Sequence, residues 1–241
     1  MFFCFACTQN AQNQGKNNET QVRGINEDLH LLGVLTSPKT SRNYQENKQY
    51  IAQYQNKIKD KIFKDSISTI FSEILLNKII PYWYGTHWSF DGHTIEPQKG
   101  EIACGYFIST TLCDMGLNMN KYRFAQQSPI NEAKTFSFDQ DIIVLEHHTR
   151  AEHIEAIEKN TKEGVYFIGF GDKHVGFLLN RKNSLFLIHS KYENAFGVCI
   201  ERPSESNLFS GYSKFYISPI STNKKLLHKW LYKDEIKVVV K

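Results

Sequence analysis

The sequence predicts an α+β protein, with helices in its first half and antiparallel strands in its second half. Two observations predict this order. Before residue 116, apolar residues recur at helical spacing, as at Ile67, Phe71 and Ile74. After residue 164, short runs of β-branched and aromatic residues alternate with polar turns, the clearest of which runs from Asn180 to Ser184. Helices that precede a run of hairpins favour an α+β arrangement over alternating βα units.

The individual elements follow from local signals. A polar helix is predicted over 41–64, followed by a helix that Asp65 or Ser66 caps and that ends before Pro81. A helix over 101–115 is apolar nearly all round, so we expect it to be central and buried, with Gly116 capping its end. A short amphipathic helix covers 151–160. Strands are predicted over 165–170, 174–180, 185–190, 197–201 and 214–217, then a helix from Thr222 to Leu231 and an edge strand over 236–240.

Composition limits the classes of protein that the chain can represent. Its 241 residues are 41% hydrophobic, enough for one good core. The net charge of +4, without a dense Lys/Arg stripe, predicts no nucleic-acid partner. Five cysteines, an odd number, predict no disulfide framework, and we expect no cofactor and no metal. We predict a tether over 1–24, a helical part of the domain over 25–80 and the core that carries the chemistry over 81–241.

The amino terminus resembles a lipoprotein signal. In Cys4-Phe5-Ala6-Cys7, a small residue precedes a cysteine, and the polar stretch to residue 24 reads as a disordered tether. Cys7 is therefore a candidate lipidation site. The apolar stretch before it is too short for a signal peptide, so either the natural start lies upstream or the resemblance is accidental. In the first case we expect a periplasmic or outer-membrane lipoprotein of the bacterial envelope, with membrane contact only through the lipid anchor.

Two histidines lie on a predicted hairpin. His174 begins one strand and His189 ends the next. If Lys182-Asn183 alone forms the tip, Gly176 lies opposite His189, and both histidines share a face with Gly176 as diagonal neighbours. Gly176 would leave that face open.

A cysteine lies at the predicted start of the central helix. Unpaired N–H groups there, and a nearby imidazolium, would lower the pKa of the Cys104 thiol. This pattern predicts a nucleophile (Cys104), a base (His174) and an orienting group (His189). Taken alone, Cys104 would more often be a small buried hydrophobic residue.

The same residues resemble the NlpC-type cell-wall peptidases over about residues 78 to 192. The runs His174-Val-Gly-Phe-Leu-Leu and Phe186-Leu-Ile-His189-Ser are similar to the strand pair of that family. Pro81-Tyr-Trp-Tyr-Gly-Thr resembles the loop before its cysteine, and Glu163-Gly-Val-Tyr-Phe resembles the strand that leads into its hairpin. The family's Asp-Cys-Ser-Gly signature is Ala103-Cys-Gly-Tyr here.

The resemblance implies a papain-like fold, in which a buried helix that carries the cysteine packs on a sheet or half-barrel that carries two histidines. It implies a hydrolase that cleaves amide bonds in peptidoglycan stem peptides through a thioacyl intermediate. By motif position, Cys104 is the nucleophile, His174 the base and His189 the orienting group, while Tyr82 helps to bind the oxyanion.

Further residues are candidates for substrate binding. Gly105 would leave space where a carbonyl approaches Cys104. The aromatic residues of the loop after Pro81 would line the cleft or else pack the loop on the core; these are Trp83, Tyr84, Trp88 and Phe90. Two alternatives to catalysis remain: a papain-like domain that has lost its chemistry and only binds wall or protein partners, and a zinc site formed by Cys104, His174 and His189.

Overall fold

The computed structural model describes residues 25–60, 66–138, 140–193 and 197–240. The tether and Cys7 lie outside these ranges. Residues 25–31 are helical at the edge of the first range. The helices that follow are α1 (Tyr44–Ile58), α2 (Ile67–Ile74), α3 (Ile80–Trp83), α4 (Cys104–Asp114), α5 (Lys121–Ala125), α6 (Pro129–Ser137), α7 (Arg150–Asn160), α8 (Leu208–Gly211) and α9 (Lys224–Tyr232). The strands are β1 (Asn118–Met119), β2 (Ile143–Glu146), β3 (Gly164–Phe170), β4 (His174–Arg181), β5 (Ser184–Lys191), β6 (Gly197–Glu201), β7 (Lys214–Pro219) and β8 (Glu235–Ile236).

Six strands form one antiparallel sheet in the order β2-β7-β3-β4-β5-β6. The predicted α+β class and the successive hairpins from β3 to β6 are therefore confirmed. The expected edge strand over 236–240 is wrong, because β8 covers only Glu235–Ile236 and pairs in parallel with β1, away from this sheet.

The β4–β5 hairpin has the predicted two-residue tip. Lys182 and Asn183 both have left-handed backbone angles, with φ of 49° and 60°. A turn of this kind matches the right-handed twist of the flanking strands. Asn180 pairs with Leu185 in the observed register, which is the register that a two-residue tip predicts.

The two faces of the sheet pack against different helices. On one face, α4 lies against β4 and β5, and the rings of Phe107 and Phe177 meet edge to face at 5.8 Å. This core also includes Leu29 and Ile74, so residues before 81 share it with the later part of the chain. The other face holds a smaller core that includes Phe215. The burial predicted for α4 is confirmed.

Several predicted boundaries are wrong for local reasons. The helical segment that begins with α2 was predicted to end before Pro81, but it continues past Pro81, because the π-helical turn Leu75–Ile79 joins α2 to α3. Pro81 lies in the first turn of α3, where its missing N–H group is not needed. α1 ends at Ile58, and α4 begins at Cys104 and not at 101. Asn223, not Thr222, caps α9, since its side-chain oxygen accepts from two first-turn N–H groups.

The short elements β1, β2, α5 and α8 were missed by sequence reasoning, because they contain too few residues to show a periodic pattern. The helix α6 was also missed, although its nine residues equal the length of α9. In the described ranges, every helix falls short of the length and apolar character that crossing a membrane requires.

The tip of the hairpin generates a stability prediction. Replacing Lys182 by Asn together with Asn183→Gly should raise the free energy of unfolding by about 1 kcal/mol, because Asn and Gly adopt left-handed angles at lower cost than Lys and Asn. Urea unfolding measures the change. The control is Ser184→Gly, one residue along in β5, which should instead destabilise by roughly 0.5–1 kcal/mol. Equal effects at the two places would contradict the turn assignment.

Candidate active site

Cys104 is the first residue of α4. Ala103 precedes it in an extended conformation and forms no side-chain cap, so N–H groups of the first turn remain available. Backbone groups of Gly105 and Val175 lie at the sulfur and favour the thiolate. Val175 directly follows His174 in β4, so the helix start meets the sheet beside the first histidine.

The expected lowering of the thiol pKa is wrong for this state of the protein. Burial raises the pKa of the Cys104 thiol to about 11, and the nearby carboxyl of Glu132 adds to the rise. The backbone groups lower it by less. No hydrogen bond joins Cys104 to His174, both of which are described. The resting site therefore holds a neutral thiol and not a preformed ion pair.

The imidazole rings of His174 and His189 are joined by a hydrogen bond. Nε2 of His174 lies 2.8 Å from Nδ1 of His189, within hydrogen-bond distance. Both side chains are buried, and burial together with the second imidazole holds the pKa of His174 well below its usual value. A neutral imidazole is the form that accepts a proton. The predicted diagonal contact between the two histidines is thus present.

Glu201, at the end of β6, is a functional candidate that sequence reasoning missed. Its Oε1 lies 3.3 Å from Nε2 of His189, and its Oε2 lies 2.7 Å from Nζ of Lys191. Although burial raises the pKa of Glu201, these two partners and the Ser206 side chain lower it to about 2, so the carboxylate is ionised. Alternation could have found it, because Cys199 pairs with His189 and Glu201 lies two residues further on the same face.

A hydroxyl next to the second histidine ties the sheet to the start of α4. Oγ of Ser190 donates to the carbonyl oxygen of Ile102 at 2.6 Å. The N–H of Ile102 donates to the carbonyl of His87, and that of Ala103 to the carbonyl of Gly92, each at 2.8 Å. The segment before Cys104 is therefore held by backbone bonds and by β5.

Two residues predicted for the substrate site have structural partners instead. The hydroxyl of Tyr82 donates to the carbonyl oxygen of Arg42 at 2.8 Å, which corrects its expected place beside the oxyanion. Trp83 is fully buried and donates to the hydroxyl of Tyr44 at 2.8 Å, so it does not line a cleft. Both corrections arise because α3 packs against α1, a contact that the loop sequence does not show.

Gly105 also differs from expectation, whereas Tyr84 follows the second of its two alternatives, packing on the core. A Cβ atom on Gly105 would lie 3.0 Å from the carbonyl oxygen of Ala125 and 3.1 Å from Oε1 of Glu132. The space beside Gly105 is therefore occupied by Ala125 and Glu132, and it is not open to a substrate. Tyr84 packs against the main core, and its hydroxyl is buried with no hydrogen-bond partner in the described ranges.

An aromatic pair lies beside His174. The ring of Tyr192 is 6.1 Å from that of His174 and 6.0 Å from that of Trp88. Tyr192 is 43% exposed, so a substrate can reach this pair. Trp88 was among the aromatic residues of the predicted loop, whereas Tyr192 was missed.

The zinc alternative of the sequence does not match the structure. Among the described residues, Cys104, His174 and His189 do not form a set of three whose donor atoms converge. The described donors that do converge, within 4.8 Å of one another, belong to His189, Cys199 and Glu201.

The space beside His189 generates a second prediction. A Cβ atom on Gly176 would lie 2.8 Å from Cδ1 of Leu187 and 3.1 Å from Cβ of His189. Gly176→Ala should lower the free energy of unfolding by about 1–3 kcal/mol and shift the imidazole NMR signals of His189. Gly211→Ala is the control, since no atom lies within 4 Å of its added Cβ. Unchanged histidine signals in Gly176→Ala would contradict the predicted contact.

The buried carboxyl of Glu132 generates a prediction on pH. Burial raises its pKa well above 4.5, so the folded protein keeps a proton that the unfolded chain loses as the pH rises through 4.5. Stability is therefore lost with rising pH. Glu132→Gln should match the wild type at pH 4 and exceed its free energy of unfolding by about 1–3 kcal/mol at pH 8.

Urea unfolding across this pH range checks the sign. Glu152→Gln is the control. An exposed capping contact with Thr149 lowers the pKa of Glu152, so its ionised form stabilises the folded state. Glu152→Gln should therefore lower the free energy of unfolding above pH 4.5, where Glu132→Gln raises it. A stability difference for Glu132→Gln that does not grow with pH would contradict the assignment.

The comparisons with known proteins add no family to this description. No match to the chain was found among protein-family models, curated proteins or solved structures. The functional interpretation therefore depends on the geometry of Cys104, the imidazole pair and Glu201.

Proposed function

We propose that this protein is a cysteine hydrolase of papain-like architecture that cleaves amide bonds. The observation that carries the proposal is the 2.8 Å contact between Nε2 of His174 and Nδ1 of His189. Through this contact, the buried ring of His189 orients the buried ring of His174 where β4 meets the start of α4. Nδ1 of His174 has no hydrogen bond to a described residue, so that nitrogen is available to a thiol or a substrate.

The reaction follows from these groups. Sγ of Cys104 attacks the amide carbon while its proton passes to Nδ1 of His174, and N–H groups at the start of α4 donate hydrogen bonds to the oxygen as its negative charge develops. His174 then gives the proton to the leaving amine. A water molecule, deprotonated by the same nitrogen, hydrolyses the thioester. His189 and Glu201 act as positioning residues, because they hold the ring and stabilise its charged form.

The proposed substrate class is the stem peptide of peptidoglycan, with the bacterial cell envelope as the place of action. The resemblance of the hairpin and of the preceding loop to NlpC-type peptidases supports this class. A net charge of +4 also favours an anionic polymer over a neutral one.

A binding domain without catalysis is the second candidate, and the Cys104 environment favours it. Burial raises the pKa of the thiol to about 11. A catalytic site must therefore remove the proton during attack, with His174 as base, whereas a pure binding domain needs no such step.

Fragment release from purified peptidoglycan tests the proposal. Wild-type protein should release peptide fragments, detected by mass spectrometry, and Cys104→Ala or His174→Ala should reduce the rate by about a thousandfold or more. The matched control is Cys113→Ala, at the other end of the same helix, which should retain activity within a few-fold.

Thiol alkylation distinguishes the two candidates. With iodoacetamide, Cys104 should react more slowly in His174→Ala than in wild type, while Cys113 should be unaffected. Binding to peptidoglycan with no released fragments, and equal alkylation of Cys104 in both proteins, would favour the binding domain.

A further inference from the structure

Three side chains that can bind a metal ion converge behind the imidazole pair. His189 lies in β5, and Cys199 and Glu201 lie in β6. One donor atom of each residue lies within 4.8 Å of the donors of the other two. The register accounts for this, because Cys199 pairs directly with His189, and Glu201 follows on the same face.

Two of these donor atoms are buried without a hydrogen bond. Nε2 of His189 and Oε1 of Glu201 face each other at 3.3 Å in an ion-pair contact that lacks hydrogen-bond geometry, and neither atom has another hydrogen-bond partner in the described ranges. His189 is 1% exposed and Glu201 is 9% exposed. Buried polar atoms normally have partners, so a cation between them would satisfy both. The unpartnered hydroxyl of Tyr84 interacts electrostatically with Cys199, which places it near the same cluster.

We propose that Nε2 of His189, Sγ of Cys199 and Oε1 of Glu201 bind a divalent transition-metal ion, with Zn²⁺ as the best match. Imidazole, thiolate and carboxylate are the ligands that Zn²⁺ takes, and three protein ligands leave a fourth position open. The two anionic ligands balance the charge of the ion, which a buried site requires. This proposal differs from the sequence analysis, which predicts no metal site.

Lys191 limits the strength of this site. Its ammonium binds Oε2 of Glu201 at 2.7 Å, which leaves Oε1 for the metal. A positive charge this close opposes a dication, so we expect reversible binding and not a permanent structural ion. Cys199 releases its proton to solvent when the metal binds.

Metal binding would switch off the base, an inference that rests on the proposed function. To accept a proton at Nδ1, neutral His174 must carry hydrogen on Nε2 and donate it to Nδ1 of His189. A metal on Nε2 of His189 leaves the single proton of that ring on Nδ1, so His189 becomes the donor. The proton of His174 then resides on Nδ1, and the base has no lone pair for Cys104. Zn²⁺ would inhibit without touching the nucleophile.

Titration with Co²⁺ tests the site without any need for activity. The full chain carries Cys4→Ser and Cys7→Ser, so that the amino-terminal cysteines contribute no ligand. We expect one equivalent to bind with a thiolate-to-cobalt absorption band. Cys199→Ser should remove the band and weaken binding by more than about tenfold. The matched control, Cys113→Ser, should leave both unchanged.

A comparison with Cys104→Ser identifies the ligand cysteine. A band that survives in Cys104→Ser and is lost in Cys199→Ser supports the site. The reverse result would place the metal on the proposed nucleophile and overturn it, as would the absence of binding. Far-UV circular dichroism and the Tm without metal check that Cys199→Ser folds. Glu201→Gln, which keeps the shape of the side chain, should also weaken Co²⁺ binding.

Inhibition separates this proposal from the proposed function. Zn²⁺ should inhibit peptidoglycan hydrolysis, and Cys199→Ser should require at least about tenfold more Zn²⁺ for the same effect. Equal inhibition of both proteins would overturn the metal switch while hydrolysis stands. A cobalt band lost only in Cys199→Ser, with no hydrolysis by any protein, would support the metal site and overturn the enzyme.

Discussion

The register of the β4–β5 hairpin determines which side chains share a face of the sheet. Lys182 and Asn183 form the tip, and each residue beyond it is paired at a fixed offset. A slip of one residue would move His189 to the opposite face and break its contact with His174. The missing side chain of Gly176 provides the space that His189 occupies. The geometry of the whole site therefore depends on a two-residue turn.

A second constraint connects the helix that carries the cysteine to this hairpin. Ring packing between Phe107 and Phe177 places α4 against the sheet, and the bond from Ser190 to Ile102 anchors the segment that enters the helix. Both contacts involve residues close in sequence to the site. The placement of Cys104 therefore depends on the packing of the core, since a shift of α4 would separate the thiol from β4.

Burial controls the charges of the site. It raises the pKa of the Cys104 thiol and lowers that of His174, so both groups rest neutral, whereas Glu201 remains ionised beside Lys191. The same imidazole, His189, faces a histidine through one nitrogen and a carboxylate through the other. In the proposed reaction, the position of the proton on that ring decides whether His174 can accept a proton, and this is why a cation at the outer nitrogen would matter.

Local signals in the sequence determined the α+β class, the hairpin and the positions of Cys104, His174 and His189, because alternation and turn chemistry are properties of a few neighbouring residues. Tertiary structure alone decided the rest. Tyr82 and Trp83 lie far from α1 in sequence, and only the packing of α3 on α1 assigns them to structural partners. Glu201 joins the site through strand pairing, and the thiol pKa depends on the number of protein atoms around the sulfur. No short motif predicts such long-range contacts or burial, because they depend on the packing of residues that are far apart in the sequence.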